Sequence, residues 1–403
     1  MEYLKEWLKK RKASGICREL FPIERLGGGR VRAAGSNGGY AESRGSENQE
    51  LIDFSSNDYL ALSEHPEVIA ASRHYLEKIG TGAGAARLMS GDLALYHELE
   101  QEVASLKGKA GALIFGSGYL ANIGLIPALI GRGDVVFCDR FNHASIYDGC
   151  RLSMARLVRF RHNDLAHLEE LLIKERGQGR ALIVVESIYS MDGDRCPLPE
   201  LVALKKKYDC LLMVDEAHAT GIFGKNGGGV IQEDGVAAEV DIAMGTFGKA
   251  LGSYGAYVAS SEEMVNYLVN RARSFIYSTA LPPAVVGASL AALKIVREQP
   301  QLRRQLQAKV ALFKEILGTG GVADLGPSQI VPVLVGDSGL AMELAAEGRA
   351  NKVFVTAVRP PTVPQGTARL RFSITLHHSD SDLERTASLV VDLLRRRGLG
   401  SGV

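Results

Sequence analysis

Four short runs that are apolar on both faces constrain this chain more than any other feature. They are Val135–Cys138, Leu182–Glu186, Leu211–Val214 and Ile242–Met244. A strand with one face in water alternates apolar and polar residues. A run without alternation is covered on both sides. Helical segments supply the cover: Lys205–Tyr208 ends one directly before a run, and Leu95, Leu99, Val103 and Leu106 mark the face of another. Ala112–Phe115 reads as a further strand. This βαβα order predicts the α/β class, with an open, mainly parallel sheet and helices on both faces.

A chain of 403 residues exceeds what one core ordinarily serves. The pattern divides it into 1–50, an N-terminal helix and arm; 51–283, the large domain; and 284–403, a smaller α+β domain that the N-terminal arm joins. Tyr3, Leu4, Trp7 and Leu8 recur at helical spacing. Residues 27–50 are rich in Gly and Ser and read as a loop or short hairpin. The large domain closes at Thr279-Ala-Leu-Pro-Pro283. A long helical segment over 284–317 follows, then a strand at Ile330–Val335, a helix at Leu340–Glu347, a strand at Leu370–Ile374 and a helix at Ser381–Arg397.

The net charge of +1 gives no reason to expect nucleic acid or an anionic membrane as partner. No apolar run approaches the roughly eighteen residues of a membrane span. The start, MEYLKEWLKKRK, lacks the apolar core of a secretory signal. The five cysteines, Cys17, Cys138, Cys150, Cys196 and Cys210, show no C-x-x-C spacing, so neither a metal site nor a redox pair is expected. Their odd number and scatter fit a reducing, cytoplasmic setting.

Two glycine-rich stretches fail as nucleotide loops. Gly80-Thr-Gly82-Ala-Gly84 lacks the dinucleotide spacing. Gly248-Lys249 is followed by Ala250 rather than Ser or Thr. A different chemistry fits better. Asp215 ends one apolar run, and His218 follows it. Thr246 and Lys249 follow the next run, in a loop of small residues. Ligands of open α/β sheets bind beyond the carboxyl ends of the strands. Taken singly, Asp215 is a turn residue and Lys249 a solvated loop lysine. Together they meet the needs of pyridoxal 5'-phosphate: a lysine for a Schiff base and an acid facing the pyridine nitrogen. Gly116-Ser-Gly118-Tyr119 opens a helical segment and offers N–H groups to a phosphate. Tyr119 and His143 are candidates to stack on the ring.

The segments Phe54-Ser-Ser-Asn57-Asp-Tyr-Leu60, Asn142-His143-Ala-Ser145, Ser190-Met-Asp-Gly193, Asp215-Glu-Ala-His218 and Thr246-Phe-Gly-Lys249 resemble the α-oxoamine synthase family of fold-type I pyridoxal-phosphate enzymes. The resemblance implies that Lys249 anchors the cofactor and then acts as general base, with Asp215 at the pyridine nitrogen. His218 hydrogen-bonds the phenolic oxygen, and His143 stacks on the ring and borders the substrate. Gly118, Tyr119 and Thr246 contact the cofactor or its phosphate, and Ser190 lies beside the ring. Ser278 and Thr279 match a phosphate contact made across a dimer interface, which implies a homodimer. Asn57 and Arg371 match the clamp on the amino-acid carboxylate, and Arg18 and Thr362 match substrate contacts at the pocket mouth.

The stretch Arg359-Pro-Pro-Thr362-Val-Pro-Gln-Gly-Thr-Ala-Arg369-Leu-Arg371 is similar to the biotin-pathway branch of the family. That branch joins L-alanine to a pimeloyl thioester, on CoA or a carrier protein, with loss of CO2. The alternatives are an acyltransferase that joins glycine to acetyl-CoA and a non-catalytic paralogue that only binds the cofactor.

Overall fold

The apolar runs are neighbours in one sheet. The computed structural model describes residues 1–14, 16–18, 20–33, 49–323 and 325–399. In chain order the strands are β1 Ile23–Gly27, β2 Arg30–Ala33, β3 Glu50–Asp53, β4 Gly111–Phe115, β5 Val135–Asp139, β6 Arg156–Phe160, β7 Ala181–Glu186, β8 Leu211–Asp215, β9 Ile242–Thr246, β10 Ala256–Ser260, β11 Ile330–Gly336, β12 Val353–Phe354, β13 Thr356–Val358 and β14 Ala368–Ser373.

Seven strands form the large sheet, in the order β4-β10-β9-β8-β7-β5-β6. The run from β9 to β6 is parallel throughout. β10 is antiparallel to both of its neighbours, β4 and β9, so β4 points the same way as β9. Every residue of β5, β7 and β10 is buried, as a sheet covered on both faces requires. β6 lies at the edge and carries Arg156 and Arg159. Those charges break the apolar run and hide this strand from a sequence reading.

Contacts divide the chain into two units. The large unit comprises 58–190 and 194–304. The small unit comprises 1–57, 191–193 and 305–403. Both expected boundaries move. The helix Pro283–Glu298 packs on the helices Pro66–Ile79 and Ala94–Lys107, and Val286, Ala292 and Val296 are buried there. It therefore belongs to the large unit. The expected long helix is two, because Pro300 interrupts it and Gln301–Thr319 begins anew. β3 pairs with β2 and β12, which carries residues 50–53 into the small unit.

In the small unit, β1-β2-β3-β12 form one sheet and β11-β14-β13 another. The Phe54 ring stacks on His378 at 4.0 Å and meets Phe372 edge-on at 5.6 Å. Ser379 and Asp382 form a capping box on the helix Asp380–Arg396, and Asp382 also receives the Arg30 guanidinium at 3.0 Å. The N-terminal helix spans Glu2–Ala13, and Tyr3, Leu4, Trp7 and Leu8 are exposed on it. The hairpin lies earlier than expected, in β1 and β2, and the rest of the expected loop, 34–48, is outside the described residues. Among the described residues, no helix is long and apolar enough to cross a membrane.

Candidate active site

β4, β5, β7, β8 and β9 point the same way, so their carboxyl ends share one edge of the sheet, where open α/β sheets bind ligands. Each end leads to a predicted residue. Beyond β4, Ser117 caps the helix Gly118–Leu129 by accepting the Leu120 N–H at 3.2 Å. Gly118 and Tyr119 are the first residues of this helix, where N–H groups lack helical partners. Beyond β5, His143 caps the helix Ala144–Ser153. Beyond β7 comes Ser190, which is buried. Asp215 is the last residue of β8, and Thr246 is the last of β9.

The central contact joins the two predicted segments. Lys249 Nζ lies 2.7 Å from His218 Nε2, and the Tyr59 hydroxyl lies 2.8 Å from His218 Nδ1. Tyr59 is wholly buried, so the imidazole is fixed from behind. The Lys249 loop is shaped by close approach. Thr246 Oγ1 accepts the Gly248 N–H at 3.1 Å and donates to the Gly255 carbonyl at 2.8 Å. Gly252 has φ +60°, and a Cβ there would lie 2.2 Å from the Ser63 nitrogen. Only glycine fits.

Asp215 is buried and bonded at both oxygens. The Ala217 N–H reaches Oδ1 at 2.9 Å, and Asn122 Nδ2 reaches Oδ2 at 3.2 Å. The Asn122 amide also donates to Ser145 Oγ at 2.9 Å, and that hydroxyl lies 2.7 Å from His143 Nδ1. One side chain thus links Asp215 to the Ser145–His143 pair. Asn122 Oδ1 has no partner among the described residues. Burial pushes the His143 imidazole down, the Lys249 charge acts the same way, and Asp215 opposes them. His143 is neutral at neutral pH, as suits a ring stacked on a heteroaromatic face.

Glu186 was not a predicted site residue. It ends β7 in register with Asp215, and its carboxyl accepts the His143 backbone N–H. Burial, then the Asp215 charge, raises its pKa well above the ordinary carboxylate value, which favours the protonated acid. The signal in the sequence is an acid closing an apolar run, the same signal that marked Asp215. Glu186→Gln is expected to cost under about 1 kcal/mol, because a neutral acceptor remains. Glu186→Ala leaves a donor unpaired and is expected to cost about 1–3 kcal/mol. Thermal unfolding of both variants checks this, and equal losses would mean that the native group is charged.

A second buried group braces the same loop. Lys107 Nζ donates to Glu216 Oε2 at 2.7 Å, Thr220 Oγ1 at 2.9 Å and the Gly228 carbonyl at 2.7 Å. Glu216 Oε1 accepts the Ile231 N–H at 2.9 Å. Both side chains are fully enclosed.

The remaining predicted residues fall elsewhere. Tyr119 is half-exposed, and its hydroxyl donates to Asp148 at 2.6 Å. Thr279 forms a bridge with Ala86, and Ser278 and Thr279 line a small cleft with Gly116. In the small unit, Arg371 NH1 and NH2 both lie 3.3 Å from Asn57 Oδ1, and NH1 donates to Ser373 Oγ at 2.8 Å. Arg18 donates to Thr362 Oγ1 at 3.4 Å. Arg369, another arginine that sequence reasoning gave no role, shares the β14 face with Arg371 and pairs with Asp192.

These residues fit pyridoxal phosphate. There is a lysine amine, an acid that accepts two hydrogen bonds yet is not ion-paired, a neutral imidazole and a helix N-terminus, all at one sheet edge.

The family model of aminotransferase class I and II matches residues 49–390. The 8-amino-7-oxononanoate synthase of Geobacter sulfurreducens is 50% identical over 395 residues, 97% of this chain and 98% of that one. Serine palmitoyltransferase from S. paucimobilis, solved with a bound PLP–myriocin aldimine, superposes with a TM-score of 0.89 at 30% identity, over 98% of this chain and 97% of that one. The 8-amino-7-oxononanoate synthase of Francisella tularensis gives a TM-score of 0.76 at 29% identity, over 87% of this chain and 99% of that one. By sequence, fold and site, the chain belongs to the pyridoxal-phosphate-dependent aminotransferase class I and II family, and within it to the 8-amino-7-oxononanoate synthases.

Proposed function

We propose that the chain condenses L-alanine with a pimeloyl thioester, carried on CoA or a carrier protein, to give 8-amino-7-oxononanoate, CO2 and the free thiol. The observation that carries this reading is the Lys249–His218 contact of 2.7 Å, beside Asp215 on the adjacent strand end. Pyridoxal phosphate, when bound, draws electron density from the alanine Cα. The protein supplies the rest. Lys249 would hold the cofactor covalently and, as a neutral amine, would take the alanine Cα proton. It later returns a proton to the same carbon after CO2 has left. His218, held by Tyr59, orients the lysine and hydrogen-bonds the phenolic oxygen. Asp215 keeps the pyridine nitrogen protonated, while Asn122 and the Ala217 N–H fix its plane. His143 would hold the ring face of the cofactor, and Ser190 would border it. Gly118, Tyr119 and Thr246 serve the phosphate end.

Arg371 and Asn57 receive the alanine carboxylate. Their mutual contacts are long at 3.3 Å, and an ionic, bidentate acceptor competes well for such a fork. The grip matters because this carboxylate must persist until acylation is complete. Arg18 and Thr362 serve the acyl substrate. The working form is a cytoplasmic homodimer in which Ser278 and Thr279 reach the partner's phosphate. Support comes from Leu88, Met89 and Tyr277, which are exposed at 54%, 79% and 70% near the Ala86–Thr279 bridge. Exposed apolar side chains of this size mark an interface.

Thiol release is expected to be faster for alanine with pimeloyl-CoA than for glycine with acetyl-CoA. Preference for the second pair reassigns the enzyme to glycine acetylation. Release with neither pair, despite bound cofactor, supports a non-catalytic paralogue.

A further inference from the structure

His162 follows the edge strand β6 and lies between two carboxylates. Its Nδ1 is 3.0 Å from Asp139 Oδ1, and its Nε2 is 2.7 Å from Asp194 Oδ2. A carboxylate accepts but does not donate, so both ring nitrogens carry protons and the ring is an imidazolium. The surroundings suit a cation. The Phe141 ring lies 4.5 Å away, and the Tyr189 ring stands edge-on at 4.4 Å. Asn163 ties the same two acids together, with its N–H to Asp139 Oδ2 at 2.9 Å and its amide to Asp194 Oδ2 at 2.7 Å.

The two acids belong to segments that bear site residues. Asp139 ends β5 and starts the turn to His143, accepting the Phe141 N–H at Oδ1 and the Asn142 N–H at its carbonyl. Asp194 accepts the Tyr189 N–H at its carbonyl, at 3.0 Å, and the Ile188–Arg195 bridge closes the turn beside Ser190. His162 lies outside the motifs that carry the family resemblance, and its ring nitrogens pair with Asp139 and Asp194 rather than with Lys249, Asp215 or His218.

We propose that His162, as a doubly paired imidazolium, is a positioning residue that holds the His143 and Ser190 segments together for cofactor binding. This rests on the pyridoxal-phosphate reading of the site and adds a residue to it.

Other polar and charged groups stand around the ring. The Tyr189 phenol is pushed well above its ordinary range by burial, Arg140 lies over the Phe141 ring, and Arg161 is paired with Asp164 at 2.7 Å. Burial acts to lower the His162 pKa, but the hydrogen bonds and charges of Asp139 and Asp194 outweigh it and raise it to about 9. A raised histidine pKa gives stabilisation that is complete below the ordinary value of about 6.5. The stabilisation fades as pH rises and is gone above the folded-state value. The tether therefore loosens on the alkaline side.

The test follows the affinity of the full-length protein for pyridoxal phosphate, read from visible circular dichroism between about pH 6 and 10, across the His162 transition. Wild type is expected to lose affinity as pH passes about 9. His162→Gln is expected to bind about tenfold more weakly at neutral pH, with that alkaline loss absent. Asp194→Asn removes one carboxylate and is expected to shift the loss to lower pH. Affinity in His162→Gln within about twofold of wild type, or an unchanged alkaline loss, overturns the proposal. If His162→Gln does not fold, Asp194→Asn decides, and an unshifted loss is fatal. A wild type that binds no pyridoxal phosphate sinks the cofactor reading itself. A wild type that binds it as tightly as His162→Gln sinks the inference alone.

Discussion

Purified Lys249→Ala is expected to lack the visible absorption of a lysine-linked cofactor and to turn over at least about 10³-fold more slowly. Two functions are lost together, the covalent anchor and the proton carrier. The variant should still bind pyridoxal phosphate, because Asp215, His143 and the N-terminus of the helix Gly118–Leu129 remain. His218 keeps its Tyr59 partner, so the fold around the missing amine should stand. Borohydride reduction followed by peptide mass analysis provides an independent check. In wild type the tag should sit on Lys249. A tag on another lysine, or covalent labelling of the Lys249→Ala chain by borohydride, would falsify the assignment.

The largest expected effect on stability lies behind the site. Neither the Lys107 nor the Glu216 side chain has any exposed surface. Such a pair contributes little net stability over an apolar replacement, yet removing one partner strands the other charge. Glu216→Leu leaves the Lys107 ammonium facing Thr220, the Gly228 carbonyl and the Tyr257 ring, with no carboxylate partner. It is expected to cost about 3–5 kcal/mol. It also removes the acceptor of the Ile231 N–H, in a loop that begins at Asp215. Lys107→Met combined with Glu216→Leu should recover part of the loss. Urea denaturation of the single and double variants decides the matter. A double variant no more stable than Glu216→Leu would show that the stranded Lys107 charge is not the source of the loss.

The sheet was legible where strands are buried on both faces. β5, β7, β8 and β9 announced themselves as unbroken apolar runs because nothing polar is tolerated there. β6 did not, because an edge strand exposes one side and accepts Arg156 and Arg159. The two-residue β12 and three-residue β13 are too short to carry a period. The helix break at Pro300 was written in the sequence, but the helical pattern on both sides masked it. Asp215 and Lys249 stood out in the sequence because an acid and a lysine beyond neighbouring apolar runs together meet the needs of one cofactor. Glu186, Asn122 and His162 did not. Each acts through another side chain, and which side chain that is depends on strand order. No spacing in the sequence places Asn122 beside Asp215, or His162 between Asp139 and Asp194.

The interleaving of the two units bears on the order in which the protein is made. The chain leaves the small unit at Asn57, returns for residues 191–193 and comes back for good at Gln305. Chains begin to fold as they emerge from the ribosome, with early domains first. Here the earliest segment cannot finish first, since β3 pairs in parallel with β12, whose Val353 faces Ile52. The large unit has all of its strands by Ser260. Its helix Pro283–Glu298 follows soon after. Residues 50–53 must therefore wait, without a completed sheet, until Val353 and Phe354 have been synthesised. Truncation near the carboxyl terminus should thus damage the beginning of the protein before it damages the middle.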